Sequence, residues 1–260
     1  MATDLMDLTG RVALITGASS RGIGSGAAKK LAEHGAKVFL LARRENELQA
    51  QVEALEAIGA EAGYAVCDVS DEAQCKAAID ACINKFGQLD IMVLAAGISG
   101  KTVPEGSFDF DSADWERVLG INLYGQYYMY KHGYEHLAKG GHGSIVQISS
   151  MAALKVSGGL PYSASKGALL RMVPWYAKKL GPLGIRVNAI CPGLIDTDMT
   201  NPPGYDTTEL LHKPAAAKAP LRRCATIEDC ANAILFLASD ASWCITGNHL
   251  AVDGGEAITG

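Results

Sequence analysis

The chain has 260 residues, 48% of them hydrophobic, and a formal charge of −5 at neutral pH. A chain of this length can bury one large hydrophobic core. The mildly acidic balance argues against nucleic acid as a partner. The first seven residues lack an apolar run and no stretch approaches the ~20 apolar residues of a membrane span, so we expect neither a signal peptide nor a membrane partner.

The seven cysteines, at positions 67, 75, 82, 191, 224, 230 and 244, are odd in number and include no Cys-x-x-Cys pair. This argues against a disulfide framework and a structural zinc site, and favours reduced thiols in a cytoplasmic protein. His132 and His136 are one helical turn apart and could chelate a metal. No third ligand has suitable spacing, so we predict no metal site.

Short apolar runs alternate with longer amphipathic stretches along the whole chain. We predict strands at residues 11–16, 37–41, 63–66, 91–94, 144–148, 185–190 and 249–252, and helices at about 23–34, 45–58, 71–86, 112–137, 162–180 and 226–239. This alternation predicts an α/β fold with a doubly wound parallel sheet covered by helices on both faces. No linker or repeat divides the chain, so we expect one domain over residues 1–260.

Two features interrupt this regular pattern. Pro174 lies inside the predicted helix 162–180, where it should kink the helix or remove a backbone hydrogen bond. Residues 197–219 contain Pro202-Pro203-Gly204 and Pro214 and form the one irregular stretch. We interpret residues 197–219 as a flexible substrate flap.

The first strand leads directly into a glycine-rich turn, Thr16-Gly17-Ala-Ser-Ser-Arg21-Gly22-Ile23-Gly24, and then into a helix. Gly17 permits a tight turn, while Gly22 and Gly24 let the backbone approach a pyrophosphate at the helix N-terminus. The alternative is a glycine-rich turn without a ligand. The strand before it and the helix after it favour dinucleotide binding.

Tyr162 and Lys166 are one helical turn apart, so the phenol and the ammonium project from the same helix face. A free tyrosine has a pKa of roughly 10, too high for ready proton exchange at neutral pH. A nearby cation favours the phenolate and lowers that pKa. The pair is a candidate general acid–base, although Tyr-x-x-x-Lys also occurs on ordinary solvated helices.

Eight short segments follow one another along the chain: Thr16-Gly17…Gly22-x-Gly24, Cys67-Asp68-Val69, Ala96-Gly97, Asn122, Ser149-Ser150, Tyr162-x-x-x-Lys166, Asn188…Pro192-Gly193 and Asp253-Gly254-Gly255. Each is unspecific alone. In this order, over essentially the full length, the chain resembles the short-chain dehydrogenase/reductase family. The resemblance implies a Rossmann fold, a single three-layer α/β/α domain and a nicotinamide cofactor.

The resemblance also implies catalytic roles. Tyr162 would donate a proton in carbonyl reduction and accept one in alcohol oxidation. Lys166 would lower the pKa of Tyr162 and bind the nicotinamide ribose. Ser150 would hold the substrate oxygen, and Asn122 would anchor a water through which Lys166 exchanges protons with solvent. Hydride would pass directly between nicotinamide and carbinol carbon, so no metal is needed.

By the same resemblance, the cofactor contacts come from several loops. They are Gly17, Ser20, Arg21, Gly22, Ile23 and Gly24; Arg43 and Arg44; Asp68 and Val69; Ala96 and Gly97; Tyr162 and Lys166; and Pro192, Gly193, Ile195 and Thr197. Family members that use NAD generally carry a carboxylate after strand two. Here Arg43 takes a basic position typical of NADP users and Arg21 a second, so we expect NADP(H). Solvated surface arginines are the alternative.

Three features depart from the family pattern. The glycine turn has one extra residue within Ala18–Arg21, which enlarges the loop facing the adenosine phosphates. Ala95 stands where the family has asparagine, which should weaken a hydrogen bond that steadies the strand. The loop before Tyr162 is one residue short. The usual spacing therefore indicates Ser149 as the catalytic serine, whereas the strand end indicates Ser150, which we favour.

The expected reaction interconverts a secondary alcohol and a ketone. An apolar substrate such as a hydroxysteroid is the first hypothesis, because the pocket could be lined by apolar residues: Leu154, Val156, Leu194, Met199, Leu210 and Leu211. A 3-oxoacyl thioester or a sugar-like polyol comes next. A non-catalytic NADPH sensor is the alternative of another class, but such proteins typically lose the tyrosine or the lysine. An epimerase or dehydratase would usually need a longer C-terminal domain.

We also expect a homo-oligomer, as a tetramer, because two helices that pair across subunits in the family are rich in apolar residues here. Those residues are Tyr127, Tyr128, Tyr130, Leu169, Leu170, Met172, Val173 and Trp175. Contiguous apolar patches of this kind usually mark interfaces.

Overall fold

The computed structural model describes residues 4–101 and 109–259. In this part of the chain, seven parallel strands form one sheet in the order β3-β2-β1-β4-β5-β6-β7. They are β1 (Val12–Thr16), β2 (Lys37–Ala42), β3 (Ala62–Val66), β4 (Ile91–Leu94), β5 (Gly143–Ile148), β6 (Ile185–Pro192) and β7 (His249–Val252). The predicted doubly wound parallel sheet is confirmed.

Helices cover both faces of this sheet. They are α1 (Ile23–Glu33), α2 (Glu45–Ala57), α3 (Glu72–Phe86), α4 (Ser112–Leu119), α5 (Gly125–Gly140), α6 (Leu160–Leu180), α7 (Lys213–Lys218) and α8 (Ile227–Ala238). One buried cluster joins α1, α2 and α8 to one face, and a second joins α3, α5 and α6 to the other. Central strands such as β1 are buried along their whole length, as their continuous apolar runs require.

Side-chain caps and left-handed glycines fix several helix ends. Asp71, Asp111 and Thr226 each accept a backbone N–H in the first turn of α3, α4 and α8. These side chains satisfy N–H groups that have no partner within the helix. Helix α3 ends at Gly87, whose φ of 76° is readily adopted by glycine. The caps thus define where α3, α4 and α8 begin and where α3 ends.

The prediction of one continuous helix over residues 112–137 is wrong. A π-helical turn at Gly120–Tyr124 separates α4 from α5. Such turns interrupt α-helices mainly at functional sites, and Asn122 lies within this one. Gly120 and Gly125 flank the turn, and a Cβ on Gly125 would lie 2.9 Å from the Val69 carbonyl oxygen. The close approach to the segment after β3 therefore depends on glycine.

The structure also revises the two predicted irregularities. Helix α6 continues through Pro174, so the missing proline N–H removes a hydrogen bond without ending the helix. The predicted irregular flap contains a π-helical turn at Thr208–His212 followed by α7. Pro214 is the second residue of α7 and follows closely on this π-helical turn.

The predicted subunit-contact residues divide into two groups. Tyr130, Leu169 and Val173 are buried in the hydrophobic core, so their prediction as exposed interface residues is wrong. Tyr127 and Trp175 are exposed, and Tyr128, Leu170 and Met172 are half-buried.

In residues 4–101 and 109–259, no helix is long and apolar enough to cross a membrane.

Candidate active site

One cleft lies at the carboxyl ends of the strands, where β1 and β4 are neighbours and the strand order reverses. Open α/β sheets bind ligands at this topological switch point. Every residue predicted to contact the cofactor, from Gly17 to Thr197, lines this cleft, and so do Ser150 and Ser149. Asn122 lies behind the lining. The structure thus brings together residues from the loops after the first six strands and from helix α6.

The glycine turn packs tightly on one side and stays open on the other. Gly17 has a φ of 70°, and a Cβ there would lie 2.8 Å from the Ala96 backbone. A Cβ on Gly24 would lie 2.5 Å from the Gly17 carbonyl oxygen. Gly22, in contrast, has no close neighbour; its N–H donates to Ser25 Oγ at 3.2 Å, and among the described residues no side chain caps the N–H groups in the first turn of α1. The free N-terminus of α1 therefore faces a cleft that can accommodate a pyrophosphate.

Asn122 is completely buried and held from three sides. Its Oδ1 accepts the Ile98 N–H at 2.8 Å, and its Nδ2 donates to the Ile98 carbonyl at 2.9 Å and to Ser165 Oγ at 3.0 Å. The π-helical turn thereby connects the loop after β4 to helix α6. A Cβ on Gly97 would lie 3.3 Å from Asn122 Oδ1 and 3.4 Å from Lys166 Nζ, so both groups border the space beside Gly97.

Lys166 is 4% exposed, and its Nζ donates to the Ile148 carbonyl at 2.8 Å. Burial lowers the pKa of Lys166 to about 8, because the ammonium is desolvated. Nζ lies 5.6 Å from the centroid of the Tyr162 ring. The predicted proximity of the two side chains is therefore present.

The expected lowering of the Tyr162 pKa by Lys166 is not found. Burial raises the pKa of Tyr162, and the opposing effect comes from its hydrogen bond with the Ser150 side chain. The ammonium of Lys166 is directed to a backbone carbonyl and is itself disfavoured by burial. In this arrangement the serine, rather than the lysine, stabilises the phenolate.

Ser149 and Ser150 point to different partners. Ser149 Oγ donates to the Lys166 backbone carbonyl at 2.9 Å, which ties the end of β5 to α6. Ser150 accepts the Ala152 N–H at 3.1 Å and interacts with the Tyr162 phenol. An oxygen held by both a phenol and a serine hydroxyl would therefore meet Ser150 and not Ser149.

The arginines after β2 differ in their surroundings. Arg44 donates to Ser19 Oγ at 3.2 Å and pairs with Glu47 at 3.3 Å. Arg43 is exposed, lines the cleft and has no ion pair within the described residues. Arg43 is therefore free to meet an anion, whereas Arg44 holds the enlarged glycine turn against α2.

Arg21 is paired with carboxylates that the sequence analysis did not identify. Its Nη2 lies 2.9 Å from Asp196 Oδ1 and its Nε lies 3.4 Å from Asp198 Oδ1. The pairing raises the pKa of Arg21 and lowers that of Asp196. The only signal in the sequence is the pair of acids on either side of Thr197, which by itself fits solvated surface residues.

The segment after β6 rests on the last of the eight motif segments. A Cβ on Gly193 would lie 3.0 Å from Asp253, and the Gly193 N–H donates to the Val252 carbonyl. Asp253 in turn accepts the N–H groups of Gly255 and Ala257. Pro192 and Gly193 thus take their position in the cleft from the turn after β7.

The predicted substrate-lining residues are mostly outside this cleft. Met199 lines it, while Leu154, Val156, Leu210 and Leu211 are exposed and Leu194 is half-buried. These side chains belong to the loop after Ser150 and to the flap. They present apolar surface to solvent on the segments that follow β5 and β6.

His132 and His136 do not converge on a site. His132 Nε2 lies 2.9 Å from Glu72 Oε1, which connects α5 with α3, and burial lowers the pKa of His136. No cluster of three or more potential metal ligands occurs in the two described ranges.

A family profile described as enoyl-(acyl carrier protein) reductase matches residues 17–256. Two relatives are similar along nearly their whole lengths. An uncharacterized short-chain type dehydrogenase/reductase of Sinorhizobium fredii is 37% identical over 259 residues, which cover 97% of this chain and all of the relative. The (+)-borneol dehydrogenase 2 of Salvia officinalis is 38% identical over 262 residues, covering 97% and 91% respectively.

Solved structures are similar at the same level. A gluconate 5-dehydrogenase from Burkholderia cenocepacia, in complex with NADP and tartrate, has a TM-score of 0.89 and 32% identity, with 98% of each chain covered. An NAD⁺-bound xylitol dehydrogenase has a TM-score of 0.86 and 30% identity, with 95% of this chain and 99% of that chain covered. These two solved structures are thus complexes with different cofactors, NADP in one and NAD⁺ in the other.

Proposed function

Because the chain belongs to the short-chain dehydrogenase/reductase family, we propose that it interconverts an apolar secondary alcohol and its ketone with NADP(H). As a member of this family, the chain is an oxidoreductase of alcohol and ketone groups that binds a nicotinamide cofactor. The proposal rests chiefly on one observation, the convergence of Ser150, Tyr162 and Lys166 beside an uncapped helix N-terminus.

The nicotinamide would supply or accept the hydride. Tyr162 would give a proton to the carbonyl oxygen during reduction and take one from the hydroxyl during oxidation. Ser150 would bind the same oxygen, since its hydroxyl already interacts with the phenol. Lys166 would stabilise the phenolate once a ribose or a water draws Nζ away from Ile148, and Asn122 would hold that helix face in register.

The preference for NADP(H) rests on Arg43. The Arg43 guanidinium, which has no ion-pair partner among the described residues, is available for a 2′-phosphate at the end of β2, and Glu45 is the first acid after this strand. NADP is bound by the gluconate 5-dehydrogenase and NAD⁺ by the xylitol dehydrogenase. The choice between the cofactors is therefore a property of individual side chains, and in this chain those side chains are basic.

The apolar substrate is supported by the exposed leucine and valine side chains of the two segments beside the cleft. A substrate covering Leu154 and Leu211 would remove apolar area from water on both partners. The borneol dehydrogenase is named for an apolar alcohol, whereas the gluconate and xylitol dehydrogenases are named for polar ones. A 3-oxoacyl thioester is the second candidate, because a 3-oxoacyl-[acyl-carrier-protein] reductase of Thermotoga maritima is 34% identical over 254 residues.

We also propose a homotetramer in a reducing compartment such as the cytoplasm. Tyr124, Tyr127 and Trp175 expose an apolar groove between α5 and α6, and surfaces of this kind usually form interfaces. All seven cysteines are free thiols in the structure. Light scattering coupled to size exclusion tests the assembly, and a particle of the 27.3 kDa chain mass would contradict it.

A panel of apolar, acyl-thioester and polyol substrates, assayed with NADPH and NADH by absorbance, tests the reaction. We expect the highest kcat/KM for an apolar ketone with NADPH. Binding of NADPH without turnover of any ketone or alcohol would favour the non-catalytic sensor. Turnover restricted to polyols would contradict the substrate proposal and leave the proposed chemistry intact.

A further inference from the structure

Arg21 lies on one wall of the cleft, and the two carboxylates that it contacts lie on the other. Arg21 belongs to the glycine turn before α1, while Asp196 and Asp198 follow β6. Besides the two ion pairs, Arg21 Nη1 donates to the Asp196 carbonyl at 3.1 Å. The Arg21 N–H donates to Asp198 Oδ2 and the Asp198 N–H donates to the Arg21 carbonyl, both at 3.0 Å. We call Arg21, Asp196 and Asp198 the clasp.

The residues that alternate with the two acids, Ile195 and Thr197, show which side of this segment faces the cleft. Ile195 and Thr197 are buried and line it, and Arg21 lines its opposite wall. Asp196 is exposed and Asp198 is half-exposed. The segment thus directs alternate side chains inward, while its acids reach over the rim to Arg21.

The charges of the clasp argue against direct phosphate binding by Arg21. Its guanidinium faces two carboxylates, so the cluster as a whole is negative and would repel a further anion. Arg43 has no such neighbours within the described residues. The residue inserted between Ala18 and Arg21 enlarges the turn and is consistent with this change of partner.

We propose that Arg21 is a positioning residue that holds residues 195–200 over the cleft, so that the cofactor can leave only after the clasp opens. The inference rests on the proposed function, because it requires a dinucleotide beneath the clasp. The clasp is solvent-exposed, with the Arg21 side chain 48% accessible. Its opening therefore costs little, because exposed ion pairs contribute little to stability, and salt weakens it further.

The experiment measures dissociation of bound NADPH and NADH by stopped-flow fluorescence. The proteins are wild type, Arg21→Gln, Asp196→Asn and the double variant. Arg11→Gln is the matched control, because Arg11 forms an exposed ion pair with Asp240 at the opposite, amino end of the sheet. We expect each single clasp substitution to accelerate release of both nucleotides about fivefold, the effect of one exposed ion pair.

The proposed contact between Arg21 and Asp196 predicts three further results. The double variant should release the nucleotides no faster than the faster single variant, since both substitutions break the same contact. Release of NADH, which carries no 2′-phosphate for Arg43, should accelerate between low salt and ~0.5 M NaCl in the wild type and much less in Arg21→Gln. Arg11→Gln should behave like wild type.

Two results would overturn the inference. An effect of Arg21→Gln confined to NADPH would make Arg21 a ligand of the 2′-phosphate. Unchanged or additive rates would show that the contact does not control release. If the wild-type protein bound neither nucleotide, the proposed function would fail and the clasp inference with it, which is distinguishable from binding with unchanged release.

Discussion

The two halves of the cleft are built in opposite ways. On the catalytic side, Asn122, Ser150 and Lys166 are buried and hydrogen-bonded to backbone groups of neighbouring elements. On the adenosine side, Arg21, Arg43 and Arg44 are exposed on loops. Buried polar groups are costly without a partner, so the fold leaves them few arrangements. Exposed ion pairs contribute little, so their partners can change with one inserted residue.

In our proposal the buried side carries the chemistry, and the exposed side carries the choice and retention of the cofactor. Substitutions on the catalytic side should therefore change turnover by orders of magnitude. Those on the adenosine side should change selectivity and release rates by about tenfold or less.

The largest effect is expected at Tyr162. Tyr162→Phe removes the proposed proton donor and should reduce kcat by ~10²–10⁴-fold, while NADPH affinity stays within a few-fold of wild type. Steady-state kinetics and NADPH fluorescence titration measure the two effects. Tyr134→Phe is the matched control, because Tyr134 bonds to Glu135 away from the cleft. A phenylalanine variant with most of its activity would refute the assignment.

The two adjacent serines provide the next test. Ser150→Ala should reduce kcat by about 10²-fold, because it removes a hydrogen bond to the reacting oxygen. Ser149→Ala should affect kcat much less and lower the thermal midpoint instead, since it releases the Lys166 carbonyl. Assays of both variants under one condition decide the matter, and the reverse ranking would assign the substrate contact to Ser149.

Lys166 should lower the free energy of unfolding at neutral pH. Its pKa of about 8 lies below the ordinary 10.5, so from pH 8 to 10.5 the unfolded chain binds more protons and the free energy of unfolding rises with pH. Below pH 8 the full cost is present. Lys166→Met should therefore be more stable than wild type at pH 7, by about 2 kcal/mol after loss of the Ile148 hydrogen bond, while turnover is lost.

Urea unfolding from pH 7 to 10 measures this difference, which should shrink as the pH rises. Lys29→Met is the control, because Lys29 is exposed and, in the part of the chain that the structure describes, forms a salt bridge only with Glu33, at 3.8 Å. A Lys166→Met protein less stable than wild type at pH 7, with a gap independent of pH, would show that the lysine is held without cost.

The same contrast explains what the sequence could predict. The strands were predictable because residues buried on both faces of a parallel sheet leave continuous apolar runs. The proximity of Tyr162 and Lys166 follows from their spacing, since one helical turn places both on one face, whereas the roles proposed for Asn122 and Ser150 came from the resemblance to the family. The π-helical turn around Asn122 was not predicted, because its apolar periodicity resembles that of the helices on either side.

The exposed contacts were less predictable for a related reason. Arg21 lies 175 residues from Asp196 along the chain, and either residue would fit an ordinary solvated surface. Burial of Tyr130, Leu169 and Val173 was missed because an apolar residue reads the same whether it faces the core or a partner subunit. Only the packing of α5 and α6 on the sheet separates the two groups.

The smallest effect is expected at Arg43. Arg43→Gln should lower kcat/KM with NADP(H) about tenfold, the effect of one charge-assisted phosphate contact, and leave NAD(H) unchanged. Arg43→Asp should go further, because its carboxylate repels the 2′-phosphate and can accept hydrogen bonds from the ribose diol of NAD. Arg44→Gln is the matched neighbour, and since Arg44 is held by Ser19 and Glu47, it should change both cofactors equally. Steady-state kinetics with the two cofactors measure these ratios. An unchanged NADP to NAD preference in Arg43→Asp would show that the unpaired arginine is only a solvated surface charge.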